Sequence, residues 1–298
     1  MKATQLHISL LKLAKAKAAD YSQLVKFRLN LTVVFSAMVG FLMGTSIWEI
    51  QSIIYLVMGG FLVTASANAI NQIIEKDFDK LMKRTADRPL SANRMTVPEA
   101  VLIAGISGIG GLIILWLSFN AMTALLGAIS LFSYAFVYTP LKRISPIAVF
   151  VGAIPGALPV MIGWVAATGS LGLIAYSLFA IQFLWQFPHF WAIGWLGYDD
   201  YKKAGFKLLP ISYDSRNKNT AIQIFIYTIA TMLVGFAPFI FGLCGTSYLI
   251  IAAVTGIFFI FRALQLIKNL DRQAALNVMY ASLIYLPLVQ LFMLIDKI

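Results

Sequence analysis

Charged residues are scarce in this chain. Only 12% of its 298 residues are Asp, Glu, Lys or Arg, whereas 60% are hydrophobic. Soluble domains contain about 25% charged residues, so this scarcity excludes an ordinary soluble globular domain. The composition is typical of a polytopic protein embedded in a lipid bilayer.

Cysteine and the common catalytic signatures are also lacking. The single cysteine, Cys244, excludes an internal disulfide and a cluster of thiolate metal ligands. The sequence contains no GxSxG, HExxH, P-loop or CxxC pattern. Hydrolase, zinc and nucleotide-binding functions therefore have no support from motifs.

Long apolar segments dominate what is present. About nine of them are close to the ~20 residues that are needed to cross a bilayer. They lie near 29–47, 52–74, 99–118, 121–139, 146–167, 172–195, 219–241, 246–266 and 275–295. The predicted fold class is all-α, a membrane bundle of about nine transmembrane helices. Residues 1–28 are basic, weakly amphipathic and without the apolar core of a signal peptide, so they are predicted to be a surface helix before one membrane domain, 29–298.

The net charge of +11 is distributed on one side of these segments. All 23 basic residues except Lys297 lie in the N-terminal segment, in the connections after spans 2, 4, 6 and 8, or at span ends facing them. The positive-inside rule predicts that the N-terminus and the long loops near 75–98 and 197–218 are cytoplasmic. Topology thus accounts for the positive charge, and no nucleic-acid partner is expected. A bacterial cytoplasmic membrane is the expected location.

Oxygen-bearing side chains share one face at the end of the second apolar segment. On a helix, Asn71, Glu75 and Asp79 lie within about 80° of one another at about 100° per residue. Carboxylates close to a bilayer are costly and usually mark function. Mg²⁺ prefers such hard oxygen ligands and usually takes one or two carboxylates. The alternative is a solvated loop whose acids pair with nearby bases, as in Asp79–Lys83.

Basic residues follow the acids within one or two turns. Arg84 and Arg88 are candidates to hold phosphate oxygens, because a guanidinium can form two parallel hydrogen bonds. Lys142 and Arg143, after span 4, provide another basic point on the same side of the membrane. Acids for a cation beside bases for an anion predict a site for a metal-bound diphosphate. The alternative for these bases is a topological signal alone.

The second long loop repeats the pattern of the first. It opens with Asp199 and Asp200 and continues with bases that include Lys202. This similarity predicts two related halves that face a shared cavity, as in many membrane proteins built from repeats. Taken alone, the segment is ordinary loop chemistry.

The sixth apolar segment contains the only histidine of the membrane region. His189 follows Pro188 and lies near Trp185 and other aromatic residues. Imidazole is a common ligand of haem iron, and the aromatic rings could form the walls of a pocket for a planar substrate. The alternatives are a buried histidine bonded to a neighbouring carbonyl and an interfacial aromatic belt.

Several linked segments resemble one known family. The string NQIIEKDFDKLMKRTADRPL at residues 71–90 resembles the first acidic motif of the UbiA-type intramembrane prenyltransferases. Its MxRTxxRPL continuation, the WQFPHFWAIGW segment, YTPLKR and DYxxAGxxxLP are similar to the branch that farnesylates haem b. The resemblance extends over nearly the whole chain.

This resemblance implies a helical bundle around a central cavity, capped by the charged loops. It implies transfer of the farnesyl group of farnesyl diphosphate to a vinyl group of haem b, followed by addition of water. Asn71, Glu75 and Asp79 would hold Mg²⁺ and diphosphate. Arg84 and Arg88 would assist, together with Lys142 and Arg143, and His189 would orient the haem or bind its iron.

The chain departs from the family pattern at two places. Glu75 stands where the family usually has aspartate, but glutamate still offers hard oxygen ligands. The second acidic motif of the wider superfamily would place aspartates at Ile193 and Gly197. A second metal site near Asp199 is therefore left open, and the alternatives are that Asp199 and Asp200 bind differently or only brace the loop.

Two other functions remain open at this point. A related prenyltransferase acting on a quinone precursor or another aromatic acceptor would need the same diphosphate site. A membrane transporter is more distant, because its polar residues should extend through several spans toward the midplane. Here they crowd at one membrane face.

Overall fold

A computed structural model describes residues 2–210 and 216–298, and for residues 2–12 it describes the backbone alone. Five residues of the predicted loop 197–218 thus lie outside the described residues. The described chain forms α-helices joined by short connections, with one π-helical turn at Ser133–Tyr138. The helices are α1 (Lys2–Leu24), α2 (Phe27–Gly44), α3 (Ile50–Asp79), α4 (Val97–Ser118), α5 (Ala121–Phe132), α6 (Thr139–Leu141), α7 (Ala148–Thr168), α8 (Leu173–Leu196), α9 (Tyr198–Lys203), α10 (Lys218–Val234), α11 (Ala237–Ile240), α12 (Thr246–Asn269) and α13 (Arg272–Ile295).

The predicted all-α membrane bundle is confirmed. In the described part of the chain, eight helices are long and apolar enough to cross a membrane. The remaining predicted span is α8, which has 24 residues and no charged side chain. Its glutamines, histidine and tryptophans make it less apolar than its neighbours, but its length still suffices for a bilayer.

The helices pack into two groups that share α2, α7 and α8. One core joins α2, α3, α4, α5, α7 and the start of α8, and the other joins α8, α10, α12 and α13 to α2 and α7. Helix α13 also contacts α2 and so connects the last helix to the first membrane helix. Large apolar side chains on α4, α5 and α12 remain exposed, as expected for surfaces that face lipid.

Side-chain caps set the beginnings of several helices. The Thr96 side chain accepts a hydrogen bond from the Glu99 N–H at the start of α4, and Asn120 does the same for Thr123 at the start of α5. Asp271 accepts from the Ala274 N–H at 2.7 Å at the start of α13. Each cap satisfies a backbone donor that the first helical turn leaves unpaired.

Helices α2 and α7 approach so closely that backbone touches backbone. A Cβ atom at Gly163 would lie 1.8 Å from the Ala37 carbonyl oxygen, and one at Gly40 would lie 1.9 Å from that of Val160. Small residues at a helix interface permit this approach in membranes. Pro159 removes the donor that would bond the Pro155 carbonyl, and the Ser130 hydroxyl donates to that oxygen at 3.2 Å.

The chain breaks sharply between α1 and α2, whereas α3 runs further than predicted. Lys26 has a φ of 50°, the left-handed region that is rare for a residue other than glycine. Helix α3 continues to Asp79, so the predicted loop start near residue 75 is corrected by this finding. The acidic residues therefore belong to a helix inside the bundle, not to a loop.

The C-terminal residues stabilise the end of the bundle that lies opposite the C-terminal end of α3. The Lys297 ammonium donates to the carbonyl oxygens of Leu42 and Thr45 at 2.8 and 2.6 Å, at the end of α2. Asp296 accepts from the Tyr248 N–H at 2.7 Å near the start of α12. Unpaired carbonyl and amide groups at two helix ends are thereby satisfied.

Candidate functional site

The last two turns of α3 carry the predicted acidic residues. Asn71, Glu75 and Asp79 are all buried, and their spacing of four residues places them along one face of the helix. Asp77, on another face, keeps 65% of its side chain exposed and pairs with Lys80. The helix therefore separates a buried polar face from a solvated one.

Each buried carboxylate has a basic partner from outside α3. Arg88 Nη1 lies 2.6 Å from Asp79 Oδ2, and the Lys142 ammonium pairs with Glu75 Oε1. The alternative pair Asp79–Lys83 is not the one formed. A buried carboxylate needs such a partner, because removing an isolated charge from water costs several kcal/mol or more.

Lys26 is a site residue that was not predicted. Its ammonium donates to Asn71 Oδ1 at 2.8 Å. Burial lowers the pKa of the Lys26 ammonium well below its ordinary value, and the cations of Arg88 and Lys142 act in the same direction. Burial also lowers the pKa of Lys142, while Glu75 opposes that shift. Three basic groups thus converge beside two carboxylates.

The oxygen set fits a magnesium ion with few protein ligands. Among the described residues no three His, Cys, Asp or Glu side chains form a metal-binding group. Mg²⁺ usually takes one or two carboxylates and completes its shell with waters and phosphate oxygens. Asp79 Oδ1 is buried and has no hydrogen-bond partner among the described residues, so this oxygen remains available to a cation.

A π-helical turn forms the adjacent wall. Thr139 follows the turn at Ser133–Tyr138, and its hydroxyl accepts a hydrogen bond from Asn71 Nδ2 at 3.1 Å. The Lys26 and Lys142 ammonium groups lie 5.9 and 5.0 Å from the ring centroids of Tyr134 and Tyr138. Single π-helical turns occur frequently at functional sites, and this one places two aromatic faces beside the cations.

The two long charged loops, near 75–98 and 197–218, meet above the acidic end of α3. Arg84 Nη2 donates to the Tyr201 hydroxyl at 3.3 Å. The Arg143 guanidinium lies 3.8 Å from the ring centroid of Phe78, so it packs on an aromatic face. Met82 and Phe206 belong to a small apolar cluster that joins both loops. The predicted proximity of the two loops is therefore present in the structure.

The acids of the second loop form local ion pairs. Asp199 Oδ2 lies 2.6 Å from Arg216 Nη2, and Asp200 lies 3.7 Å from Lys203 in the same short helix, α9. Lys202 is exposed on that helix. These contacts join residues within the loop, and the roles expected for Asp199 and Asp200 stay predictions.

His189 lies on α8 and faces α13. Its Nδ1 is 2.7 Å from the Ser282 hydroxyl, and its ring stacks on Trp185 with centroids 4.5 Å apart. Trp185 Nε1 donates to the Ser282 carbonyl at 2.7 Å. Both rings are half-buried, so the pair forms part of an accessible aromatic surface.

Comparison with known proteins gives a consistent family assignment. Residues 33–286 match the model of the UbiA prenyltransferase family. The chain is 48% identical over 281 residues to the protoheme IX farnesyltransferase of Cytophaga hutchinsonii, an alignment that covers 93% of this chain and 97% of that protein. It is 45% identical over 284 residues to the protoheme IX farnesyltransferase of Christiangramia forsetii, covering 94% and 93%.

Solved structures share the fold at lower identity. A structure of digeranylgeranylglyceryl phosphate synthase has a TM-score of 0.78 and 22% identity, covering 94% of this chain and 98% of that chain. A UbiA homolog from Archaeoglobus fulgidus, bound to GPP and Mg²⁺, has a TM-score of 0.64 and 16% identity, covering 92% and 99%. These similarities show a common membrane architecture.

Proposed function

Because the chain belongs to the UbiA prenyltransferase family, we propose that it transfers the farnesyl group of farnesyl diphosphate to a vinyl group of haem b. The reaction takes place in a bacterial cytoplasmic membrane, with the N-terminus and the charged loops in the cytoplasm. The observation that carries the proposal is the buried face of Asn71, Glu75 and Asp79 beside three basic side chains.

The basic residues bind and stabilise the leaving group. When the C–O bond of farnesyl diphosphate breaks, the electron pair remains on the diphosphate, whose negative charge grows. Lys26, Arg88 and Lys142 converge where that charge would develop, and their partly dry surroundings strengthen the attraction. Arg84, held by Tyr201, extends the basic surface toward the second loop.

Magnesium fits the acidic side of the same site. Asn71, Glu75 and Asp79 would hold the ion, and Asp79 Oδ1 is the oxygen that lacks another partner within the described residues. When bound, the ion supplies further positive charge to the departing diphosphate. The protein's part is to keep these oxygens buried and oriented on one helical face.

The hydrocarbon part of the reaction needs a site without water. The allylic cation that remains after diphosphate departure is attacked by the vinyl carbon of haem b, which forms the new carbon–carbon bond. Water then adds to the resulting cation beside the porphyrin and loses a proton. Tyr134 and Tyr138 offer aromatic faces that stabilise a cation and exclude water until the new carbon–carbon bond has formed.

His189 and Trp185 are proposed to receive the haem. The half-buried imidazole stacks on the indole ring, and a flat aromatic surface suits a planar substrate. Imidazole nitrogen is a common ligand of haem iron. This role distinguishes haem b from a quinone precursor, which has no iron to bind.

The proposal is tested with purified protein in detergent. Wild-type protein is incubated with haem b, farnesyl diphosphate and Mg²⁺, and the extracted haems are separated by chromatography. Glu75→Ala and Asp79→Ala should each lower the rate by at least about 100-fold, the scale of lost electrostatic stabilisation at such sites. Asp77→Ala is the matched control, because Asp77 lies on the same helix but is exposed, and it should retain the wild-type rate.

Two outcomes would contradict the proposal in different ways. Folded Glu75→Ala and Asp79→Ala proteins with wild-type rates would remove the metal and diphosphate assignment. A wild-type protein that prenylates a quinone precursor but leaves haem b unchanged would keep the diphosphate site and replace the acceptor.

A further inference from the structure

Arg94 uses its whole guanidinium to join two segments that flank the site. Nε donates to Asp20 Oδ1 at 2.8 Å, and Nη1 donates to Asp87 Oδ1 at 2.6 Å. Nη2 donates to the Asp87 carbonyl at 2.7 Å and to Gln23 Oε1 at 3.1 Å. Asp20 and Gln23 belong to α1, whereas Asp87 belongs to the loop after α3. Only a planar, multidentate group can make this set of bonds.

On the loop side, the bonds from Arg94 to Asp87 fix the residue that comes directly before Arg88, one of the basic residues of the site. Asp87 directly precedes Arg88, whose guanidinium pairs with Asp79 in the buried site. The loop folds back on itself, since the Arg94 N–H donates to the Pro89 carbonyl at 2.8 Å. Arg94 therefore holds the short segment from which Arg88 reaches inward.

On the helix side, the bonds from Arg94 to Asp20 and Gln23 fix the end of α1, which leads directly to Lys26. Helix α1 ends at Leu24, and Lys26 follows in a left-handed conformation with its ammonium on Asn71. Gln72 Nε2 donates to the carbonyls of Gln23 and Leu24, both at 2.8 Å, and ties the end of α1 to α3. The position of Lys26 therefore depends on where α1 ends.

The buried member of this set is Asp20. Its side chain is 11% exposed, whereas that of Asp87 is 86% exposed. Exposed ion pairs contribute little free energy, but removal of one partner leaves a largely buried charge unpaired. The Asp20–Arg94 bond is thus the ion pair that couples α1 to the loop, beside the uncharged contact of Arg94 with Gln23.

We propose that Arg94 is a positioning residue that couples α1 to the loop, so that Lys26 and Arg88 are held together around the diphosphate. The inference rests on the proposed function for the identity of that ligand. It predicts that loss of the coupling weakens recognition of the prenyl diphosphate and leaves recognition of the acceptor intact.

The test compares Michaelis constants for the two substrates in Arg94→Gln, Asp20→Ala and the double variant. Each single variant should raise the KM for farnesyl diphosphate about tenfold, the factor for loss of roughly one good hydrogen-bonded charge pair. The KM for haem b should stay within about twofold. The double variant should be no worse than Arg94→Gln, because residues that act through one contact are not additive.

Glu99→Gln provides a matched control. Glu99 at the start of α4 also binds α1, through Lys17 at 3.2 Å and Tyr21 at 2.9 Å, but it does not bind the Arg88 segment. Its variant should keep both KM values near wild type. Arg94→Lys should give an intermediate KM for farnesyl diphosphate, because lysine keeps the charge and loses the fork. It also serves as the milder variant if Arg94→Gln does not fold.

The outcomes separate the two proposals. If the wild-type protein farnesylates haem b while folded Arg94 and Asp20 variants keep its KM for farnesyl diphosphate, the coupling is overturned. Equal changes in both KM values, or an equal effect of Glu99→Gln, would also overturn it, since they indicate a general loss of structure. A wild-type protein without activity toward haem b and farnesyl diphosphate would instead overturn the proposed function.

Discussion

At the scale of single residues, the hydrogen bonds around His189 determine which of its ring nitrogens carries the proton. The Ser282 hydroxyl donates to the Met279 carbonyl at 2.5 Å, so its oxygen accepts from the neighbouring ring. His189 Nδ1, at 2.7 Å, must then carry the proton in this arrangement. The other ring nitrogen, Nε2, keeps its lone pair. Outer hydrogen bonds of this kind fix the orientation and tautomer of metal-binding histidines.

Ser282→Ala should therefore weaken haem binding without removing the imidazole. We expect about a tenfold loss of affinity, at the lower end of the effect of such outer contacts, and a shifted haem absorption spectrum. Titration of purified protein with haem b, followed by absorption spectroscopy, measures both. Ser177→Ala is the control, because the Ser177 hydroxyl likewise donates to the carbonyl three residues earlier, on α8, at 2.7 Å.

The same titration with His189→Ala gives the reference for full loss of the ligand. Should Ser282→Ala bind haem b as the wild type does while His189→Ala does not, the histidine assignment would stand and its dependence on Ser282 would be wrong. Unchanged binding by His189→Ala would remove the histidine from the haem site.

The site residues differ in how far the sequence alone reveals them. Asn71, Glu75 and Asp79 are predictable as one face because their spacing follows the helical period. Lys26 is not, because it lies 45 residues from Asn71 and reaches it only through a left-handed break after α1. No local pattern encodes that long-range contact. The choice of Arg88, not Lys83, as the partner of Asp79 depends on the path of the loop in the same way.

At the scale of elements, the close contact of α2 and α7 fixes the relative position of two walls of the bundle. Helix α2 begins beside Lys26, and α7 follows the segment that carries Lys142. Both contacting glycines, Gly40 and Gly163, meet backbone atoms of the opposite helix, which have no flexible side chain to move away. An added methyl group would therefore separate the helices, and it would also move the ends that carry the cations.

Gly163→Ala should destabilise the protein by about 1–3 kcal/mol, the range for overpacking in a close-packed interior. The steric cost outweighs the gain in helix propensity, which is at most about 1 kcal/mol. Unfolding in a denaturing detergent titration measures the change. Gly110→Ala is the control, since a Cβ atom there meets no atom within 4 Å, and it should leave stability unchanged or slightly higher. Equal stability of the two variants would contradict the role assigned to the contact.

Element boundaries show where sequence patterns stop being informative. The apolar segments predict the membrane helices to within a few residues, because length and hydropathy are set by the bilayer. The predicted loop start near residue 75 is wrong, whereas the helical spacing of Asn71, Glu75 and Asp79 correctly predicts that α3 continues past its apolar part to Asp79. Here the polar residues remain helical because Arg88 and Lys142 pair with them inside the bundle.

At the scale of the whole molecule, the two ends of the bundle differ in chemistry. The site end gathers nearly all the basic residues, whereas the opposite end is fastened by the single basic residue Lys297. A charge distribution of this kind orients a polytopic protein during insertion. On the proposed function, the basic residues at this end therefore have two roles, because they set the topology and also line the proposed diphosphate site.

This orientation can be measured by labelling single cysteines. Cys244 is buried, and a Cys244→Ser background leaves no native thiol to react. Trp48→Cys and Ser170→Cys, both exposed at the predicted outer end, should react with a membrane-impermeant maleimide in intact bacterial spheroplasts. Lys15→Cys and Lys203→Cys should react only after the membrane is opened, because they lie at the site end. The reverse pattern would place the site outside the cell, and a mixed result for residues 48 and 170 would contradict the predicted order of spans.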